Sequence, residues 1–375
     1  MLVRSGEGVV RRRHLLKLTP LTPTHVWSGR NALVGVDAVR QGNELCVIDV
    51  SEVGAGVLRE VLSSTTDITG VINELARRGA CSKKIALGEV TSIQPNSEVR
   101  LMSDELIPAS TLKGYLRTAI MYSILSSKGK GGLNQAFSSG IDLSRKPKDV
   151  SRGLEGYVFR KPRRTKAKGF IDLMQKVMVR GPVSAEGRVV TLTEFLVHEL
   201  TGGSATPKFT LLVEALKGGT LTYEVTILEN VRPSLVASNV NLVEDLIRKY
   251  EEVYSIDLLS ALREFGCRAL KEELGKVSKV SEGLEHYKSR LKEWLSKYCG
   301  KKGNCTIARI GFMTGHESKT VLTLLRDVNR GLYNQVVSYM GMQVRHDWDS
   351  RTLKLVRSGE GLVGVGWCEV CVEGA

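Results

Sequence analysis

Residues 107–119, which read Ile-Pro-Ala-Ser-Thr-Leu-Lys-Gly-Tyr-Leu-Arg-Thr-Ala, constrain this chain more than any other stretch. Pro108 ends an extended segment, Ser110 or Thr111 can cap a helix, and Leu112, Leu116 and Ala119/Ile120 then recur at helical spacing. The spacing predicts a helix over 110–126. Lys113 and Arg117, one turn apart, share a face near its positive end, beside free N–H groups and the two hydroxyls. That combination suits a phosphate. Standing alone, the same residues would make an ordinary capped core helix with two solvated cations.

The charge balance points the same way. Fifty-four Lys and Arg against forty Asp and Glu give a formal net charge of +14 and a pI near 9.5. Such an excess implies an anionic partner, nucleic acid first. A length of 375 residues allows a large core, in two domains or in one with insertions. No run of about 18 apolar residues occurs, so no membrane partner is expected. Arg11-Arg12-Arg13 has no apolar segment behind it, which reads against a secretory signal and for a cytoplasmic location. With seven cysteines and no export signal, reduced and buried thiols are expected. Cys368 and Cys371 have knuckle spacing, but they lie in an alternating strand pattern that faces them opposite ways, so no metal is assigned.

Along the chain, residues 14–19 and 44–50 read as strands and 67–79 as a short helix ending near Gly79. Residues 126–132 read as a loop by composition. Residues 145–180 carry twelve basic residues against three acidic ones. At their centre stand Arg163, Arg164, Lys166 and Lys168, flanked by Tyr157, Phe159 and Phe170, which suits stacking on bases beside phosphate contacts. Phe209, Leu211, Val213 and Ala215 alternate with polar neighbours except Leu212, and Leu221, Tyr223, Val225 and Ile227 alternate with Thr222, Glu224 and Thr226. With Lys217-Gly218-Gly219-Thr220 between them, they predict a hairpin over 208–228. Residues 241–298 switch to helical period, from Leu242, Leu246 and Tyr250 to Leu284, Tyr287, Leu291 and Leu295. Strands near 305–311, 353–356 and 363–372 complete a sheet. Hairpins mixed with helices in this way indicate an α+β fold. The heptapeptide Leu-Val-Arg-Ser-Gly-Glu-Gly occurs at 2–8 and again at 355–361, as two equivalent turns or by coincidence.

Residues 107–119 resemble the IPGSSLKGxLR motif of the RAMP superfamily, the RNA-binding subunits of type III CRISPR effectors, with Ala109 where the family usually has glycine. Residues 18–29 (Leu-Thr-Pro-Leu-Thr-Pro-Thr-His-Val-Trp-Ser-Gly) resemble the TPxHIGSG opening of the Csm-type subset, with Trp27 in place of a glycine. Residues 309–321 resemble its RxGxGSGxxSKT box, from which Met313 and His316 depart, and residues 359–367 resemble the superfamily's glycine-rich terminal loop. The order of the four is the family's, and the nearest likeness is to the subunit that caps the guide RNA 3′ end in Csm-type (type III-A) effectors. The resemblance implies a ferredoxin-like, RRM-related core with large insertions. Its N-terminal part would be residues 1–130, with a basic loop and hairpin at 131–235, a helical subdomain at 236–300, and the rest of the core at 301–375. It also implies guide and target RNA as partners, together with backbone RAMP subunits and a small helical subunit. RNA would be held by His25, Ser28, Gly29, Ser110, Thr111, Lys113, Arg117, Lys319, Gly361, Gly364 and the basic stretch.

No catalytic set emerges from the sequence, and no cofactor is expected. Ser318 and Met313 stand where a P-loop needs glycine, and Gly202 replaces the second histidine of a His-Glu-x-x-His pattern begun at His198. His25 and Asp37 are the nearest candidates for RNA cleavage. The expectation is a non-enzyme. The alternatives are a superfamily ribonuclease acting on guide or target RNA, or a generic basic RNA-binding protein.

Overall fold

The computed structural model describes residues 2–4, 10–146, 149–162, 170–229, 251, 253–300, 303–341, 352–359 and 361–374. The first half of the chain gives β1 (Leu2–Arg4), β2 (Val10–Pro20), β3 (Trp27–Leu33), β4 (Ala38–Gln41), β5 (Glu44–Val47), α1 (Ala55–Ser64), α2 (Ile68–Arg77), β6 (Lys83–Leu87) and β7 (Glu98–Met102). After it come α3 (Ala109–Ser126), α4 (Gly129–Gly140), α5 (Arg152–Phe159), β8 (Arg160–Pro162), β9 (Phe170–Asp172), β10 (Val177–Thr201) and β11 (Ser204–Glu229). The last part gives α6 (Leu258–Val277), α7 (Glu285–Tyr298), β12 (Cys305–Arg309), α8 (Leu322–Val328), α9 (Arg330–Tyr339), β13 (Thr352–Ser358), β14 (Gly361–Gly364) and β15 (Trp367–Gly374). Among the described residues thirteen strands join in one mixed sheet with helices packed on it, an α+β architecture.

The spine is the antiparallel pair β10–β11, strands of 25 and 26 residues whose two ends serve different neighbours. Leu221, Tyr223, Val225 and Ile227 of β11 alternate inward, and this half pairs with β2, where Leu16 and Leu18 are fully buried. β15 lies beyond β2, and β12 beyond β15. The other half, residues 212–216, is buried without alternation. Leu212 packs with β3–β7, while Val213 and Ala215 belong to the cluster of α6 and α7, so this half of the strand is covered on both faces.

The structure corrects the hairpin expected over 208–228. Lys217–Thr220 is not a turn but part of β11, opposite an irregularity in register between Glu186 and Val189 of β10. Gly219 has φ +97°, and a Cβ there would lie 2.6 Å from the Glu186 carbonyl, so the glycines serve a bulge. The real reversal is at Gly202-Gly203, between the paired Thr201 and Ser204. The loop expected at 126–132 is likewise corrected. Helix α4 begins at Gly129, because burial of Leu133, Ala136 and Phe137 against the core outweighs three poor helix formers.

Helix α3 runs as expected, with Leu112, Tyr115, Leu116, Ala119 and Ile120 buried. Helix α6 packs on α3 through Tyr115 and Phe265 (ring centroids 5.3 Å apart) and approaches β12 at Gly266, where a Cβ would stand 1.8 Å from the Ile307 carbonyl oxygen. Leu242, Leu246 and Tyr250 lie outside the described residues. Both heptapeptide copies enter the outgoing strand of an antiparallel pair, Leu2–Arg4 against β2 and residues 355–358 against β14.

The expectation of reduced thiols is also corrected. Cys46–Cys81, Cys267–Cys299 and Cys305–Cys371 form disulfides, which leaves only Cys368 free. Cys305 and Cys371 are direct cross-strand partners on β12 and β15. Cys368, on the other face of β15, is fully buried with its thiol 3.5 Å from Thr24 Oγ1. No described helix is long and apolar enough to cross a membrane.

Candidate nucleic-acid interface

Three stretches far apart in sequence are laced together by backbone hydrogen bonds. Leu21 N and Thr22 N donate to Trp367 O (2.8 and 3.1 Å), and Gly366 N donates to Pro23 O (3.0 Å). Ile310 N donates to Gly366 O (2.8 Å), and Phe312 N to His25 O (2.7 Å). Segments 18–29, 309–321 and 359–367 therefore form one unit. The start of α3 adjoins it. Ser103 N donates to Val26 O (3.0 Å), and the buried Tyr223 hydroxyl takes up the Ile107 carbonyl just ahead of Pro108 (2.5 Å).

Within this unit His25 is interior, at 1% exposure. Its Nδ1–H donates to Glu214 O (2.7 Å), and its ring stands edge-on to Phe312 (centroids 5.7 Å). Burial drives its pKa down to about 4, the bond to Glu214 opposing and the Arg100 charge assisting. A neutral, enclosed imidazole is a framework group and cannot reach a phosphate or a 2′-hydroxyl. Asp37 is likewise occupied, accepting from Leu33 N inside its own turn.

Ser28 and Gly29 are exposed, as an RNA contact requires. They belong to a wide bulge of β3, where Ser28, Gly29 and Arg30 stand opposite the single residue Leu101 of β7. Gly29 has φ +89°, and Ser28 Oγ donates to Leu101 O (2.9 Å) while accepting from Arg30 N (3.2 Å).

At α3 the N-cap position is Pro108, and no side chain caps the helix, which corrects the capping role given to Ser110 or Thr111. Ser110 is exposed, Thr111 and Lys113 are half-buried, and Lys113 has no ion pair among the described residues. Arg117 is different. It pairs with Glu155 (3.0 Å) and Asp172 (3.1 Å) and lies over the Phe159 ring (4.5 Å). Of the two cations expected to grip a phosphate together, Arg117 has its charge already met by two carboxylates. Arg163, Arg164, Lys166 and Lys168 lie outside the described residues, between the paired strands β8 and β9.

The 309–321 segment encloses a buried ionic network. Arg309 pairs with Glu273 (2.9 Å), donates to Val365 O (3.0 Å) and covers Trp367 (5.0 Å). Lys276 pairs with Glu317, whose carboxyl is held down at about 2 against the pull of burial, chiefly by the Lys276 charge. Lys319 sits at the edge, exposed, with its pKa lowered by desolvation and by Arg309.

Two of the terminal glycines, Gly364 and Gly366, serve packing. A Cβ on Gly364 would meet the Tyr287 hydroxyl at 1.9 Å, and one on Gly366 would meet the Ile310 carbonyl oxygen at 2.6 Å. Gly361, with φ +146°, is exposed, and a Cβ there would lie 3.3 Å from the His286 side chain. Gly364 therefore lies against the protein's own side chains, whereas Gly361 is exposed.

Trp27 stands out in the sequence only as a departure from the 18–29 motif, and no RNA contact was expected of Trp27, Arg100 or Phe312. They form a column beside Ser28 and Gly29, with the Arg100 guanidinium 5.4 Å from the Trp27 ring centroid and 4.7 Å from that of Phe312. An aromatic in the loop motif was a usable signal, whereas its partner in β7 carried none.

No protein-family model and no curated protein matches the sequence. Solved structures do match. A chain of a Csm–crRNA–target RNA ternary complex from a type III-A CRISPR–Cas system superposes with a TM-score of 0.64 at 20% identity, over 96% of this chain and 100% of that one. Csm5 of T. onnurineus superposes with a TM-score of 0.55 at 20% identity, over 95% and 99%. Over 95% of its length this chain has the fold of Csm5.

Proposed function

We propose that this chain is a non-catalytic RNA-binding subunit of a type III CRISPR ribonucleoprotein, built on a ferredoxin-like RAMP core. It would sit at the 3′ end of the guide RNA and support maturation of that end. One observation carries the reading. The motifs at 18–29, 309–321 and 359–367 are bonded into a single unit, in a fold shared over 96% of the chain with a subunit of a guide- and target-bound complex. Net charge of +14 supports an RNA partner. Its other partners would be backbone RAMP subunits, a small helical subunit and the target RNA.

The test is co-expression of a complete type III-A effector and its CRISPR array, with and without this chain, followed by sequencing of the bound guides. Guides should co-purify with the chain, and their 3′ ends should be longer or more heterogeneous without it. Unchanged 3′ ends, or a chain that never enters the complex, would overturn the proposal. Labelled guide and target RNA incubated with the purified protein and magnesium or manganese should stay intact. Cleavage lost in Asp37→Ala would establish the ribonuclease reading instead.

A further inference from the structure

We infer that the outer face of Trp27 is a stacking platform for one unpaired base of single-stranded RNA, an assignment that rests on the RNA-binding reading above. Trp27 is 43% exposed, yet its indole is held in place. Its Nε1–H donates to Arg30 O (3.1 Å) and to Asn31 Oδ1 (3.0 Å), so the ring is folded back over its own bulge with the polar edge satisfied. Asn31 is fixed in turn by Glu98, to which its Nδ2 donates (2.6 Å). A large aromatic surface pinned in this way loses little side-chain freedom when a partner covers it.

What lies behind the ring selects the partner. Arg100 fills the space between Trp27 and Phe312, with its Nε buried and lacking a hydrogen-bond partner among the described residues. The inner π-face is thus already occupied by a cation, and a lysine, arginine or quaternary ammonium on the outer face would be repelled by it. Arg30, whose carbonyl accepts from the indole, is exposed and has no ion pair among the described residues, its charge acting on Asp49. A flat, uncharged π-system attached to an anionic backbone meets both conditions, with the base on Trp27 and its phosphate within the field of Arg30 and Arg100. A single-stranded base fits this description, whereas a paired one cannot expose its face. The neighbouring Ser28 and Gly29, exposed on the same bulge, leave room for the strand to pass.

The experiment measures binding of a fluorescein-labelled oligouridylate of about twelve nucleotides by anisotropy, across a range of salt, for wild type, Trp27→Phe and Trp27→Ala. Trp27→Ala should weaken binding by roughly 5- to 150-fold, with the salt slope unchanged because no phosphate contact is removed. Trp27→Phe should retain most of the affinity, which separates stacking from a fold defect. An oligonucleotide series with one abasic site per position should contain one position where Trp27→Ala has no further effect. Trp27→Ala affinity within about twofold of wild type would overturn the inference while leaving the proposed function standing. So would a variant that binds RNA normally but drops out of the assembled complex, since the ring would then be a protein contact. Failure of the wild-type chain to bind RNA at all would overturn both.

Discussion

His25 and Glu214 are joined through the imidazole Nδ1–H and the peptide carbonyl of β11 at 2.7 Å, and each holds a different part of the fold at that point. The Glu214 carboxylate, only 4% exposed, accepts from Met102 N (2.8 Å) and pairs with Lys83 (2.7 Å), which fixes β6 and β7 to the spine. The backbone of His25 receives Phe312. A single hydrogen bond thus couples the first motif to the sheet that supports it. Since Nδ1 is the donor, Nε2 is the unprotonated nitrogen of the neutral ring, and it is buried without a hydrogen-bond partner among the described residues. Protonation would place a charge there, beside Arg100.

The consequence is acid sensitivity with a definite window. The unfolded chain binds a proton at His25 with a pKa near 6.5, while the folded chain resists until about 4. A group whose folded pKa is lowered contributes stability above the unfolded value and loses it as pH falls. We expect stability to drop by about 3 kcal/mol from this residue between pH 6.5 and 4. Urea unfolding at pH 7, 5.5 and 4.5 checks this. His25→Gln, which keeps a donor for Glu214 but cannot titrate, should flatten that part of the profile. An identical acid limb in the variant would refute the assignment.

Gly364→Ala should damage the fold before it affects RNA. The added methyl group would meet the Tyr287 hydroxyl, which donates to Glu273 (3.1 Å) and accepts from Trp367 Nε1 (2.9 Å). Relief requires moving a fully buried ring, and overpacking of this kind costs about 1–3 kcal/mol. A fall in thermal midpoint, with RNA affinity unchanged at temperatures where the variant is folded, is the expected pattern. Normal stability with weakened RNA binding would return Gly364 to the interface.

What could be read from the sequence was what depends on near neighbours. The period of Leu112, Leu116 and Ile120 fixed α3, and the alternation from Leu221 to Ile227 fixed a strand half, because each answers to one buried face. The turn expected at Lys217–Thr220 failed because local glycine chemistry fits a bulge as well as a reversal. The choice was made by β10, a strand long enough to continue the pairing. Arg117 was misread for a similar reason. Its carboxylate partners lie 38 and 55 residues away, and nothing in a helix sequence announces them. The column of Trp27, Arg100 and Phe312 needs three segments at once, so no single stretch could reveal it.

Lys113 and Arg117 should now separate in experiment. Lys113→Ala should lower the salt slope of single-strand binding by about 0.7, the contribution of one phosphate contact, with little effect on stability. Arg117→Ala leaves Glu155 and Asp172 facing each other without their shared cation and uncovers Phe159. It should reduce stability by roughly 1–2 kcal/mol, between the values for exposed and buried pairs, and leave the salt slope unchanged. Salt titrations of anisotropy and urea unfolding of both variants decide it. A lowered slope in Arg117→Ala would restore the twin grip.

The disulfides make the last prediction, and it concerns the whole molecule. Cys46–Cys81, Cys267–Cys299 and Cys305–Cys371 close loops spanning 35, 32 and 66 residues, so each restricts the unfolded chain more than a short loop would. Cys46–Cys81 ties β5 to the chain just past α2, Cys267–Cys299 ties α6 to the end of α7, and Cys305–Cys371 clamps β12 to β15. Each should contribute roughly 2–4 kcal/mol. Protein unfolded in guanidinium without reductant should expose a single reactive thiol, Cys368, whereas reduced protein should expose seven. Reductant should lower the thermal midpoint, and Cys305→Ser with Cys371→Ser should reproduce the part of that fall that belongs to the sheet edge. Seven reactive thiols in carefully oxidised protein, or a midpoint indifferent to reductant, would show that the cysteines pack as free thiols and that the strands hold without cross-links.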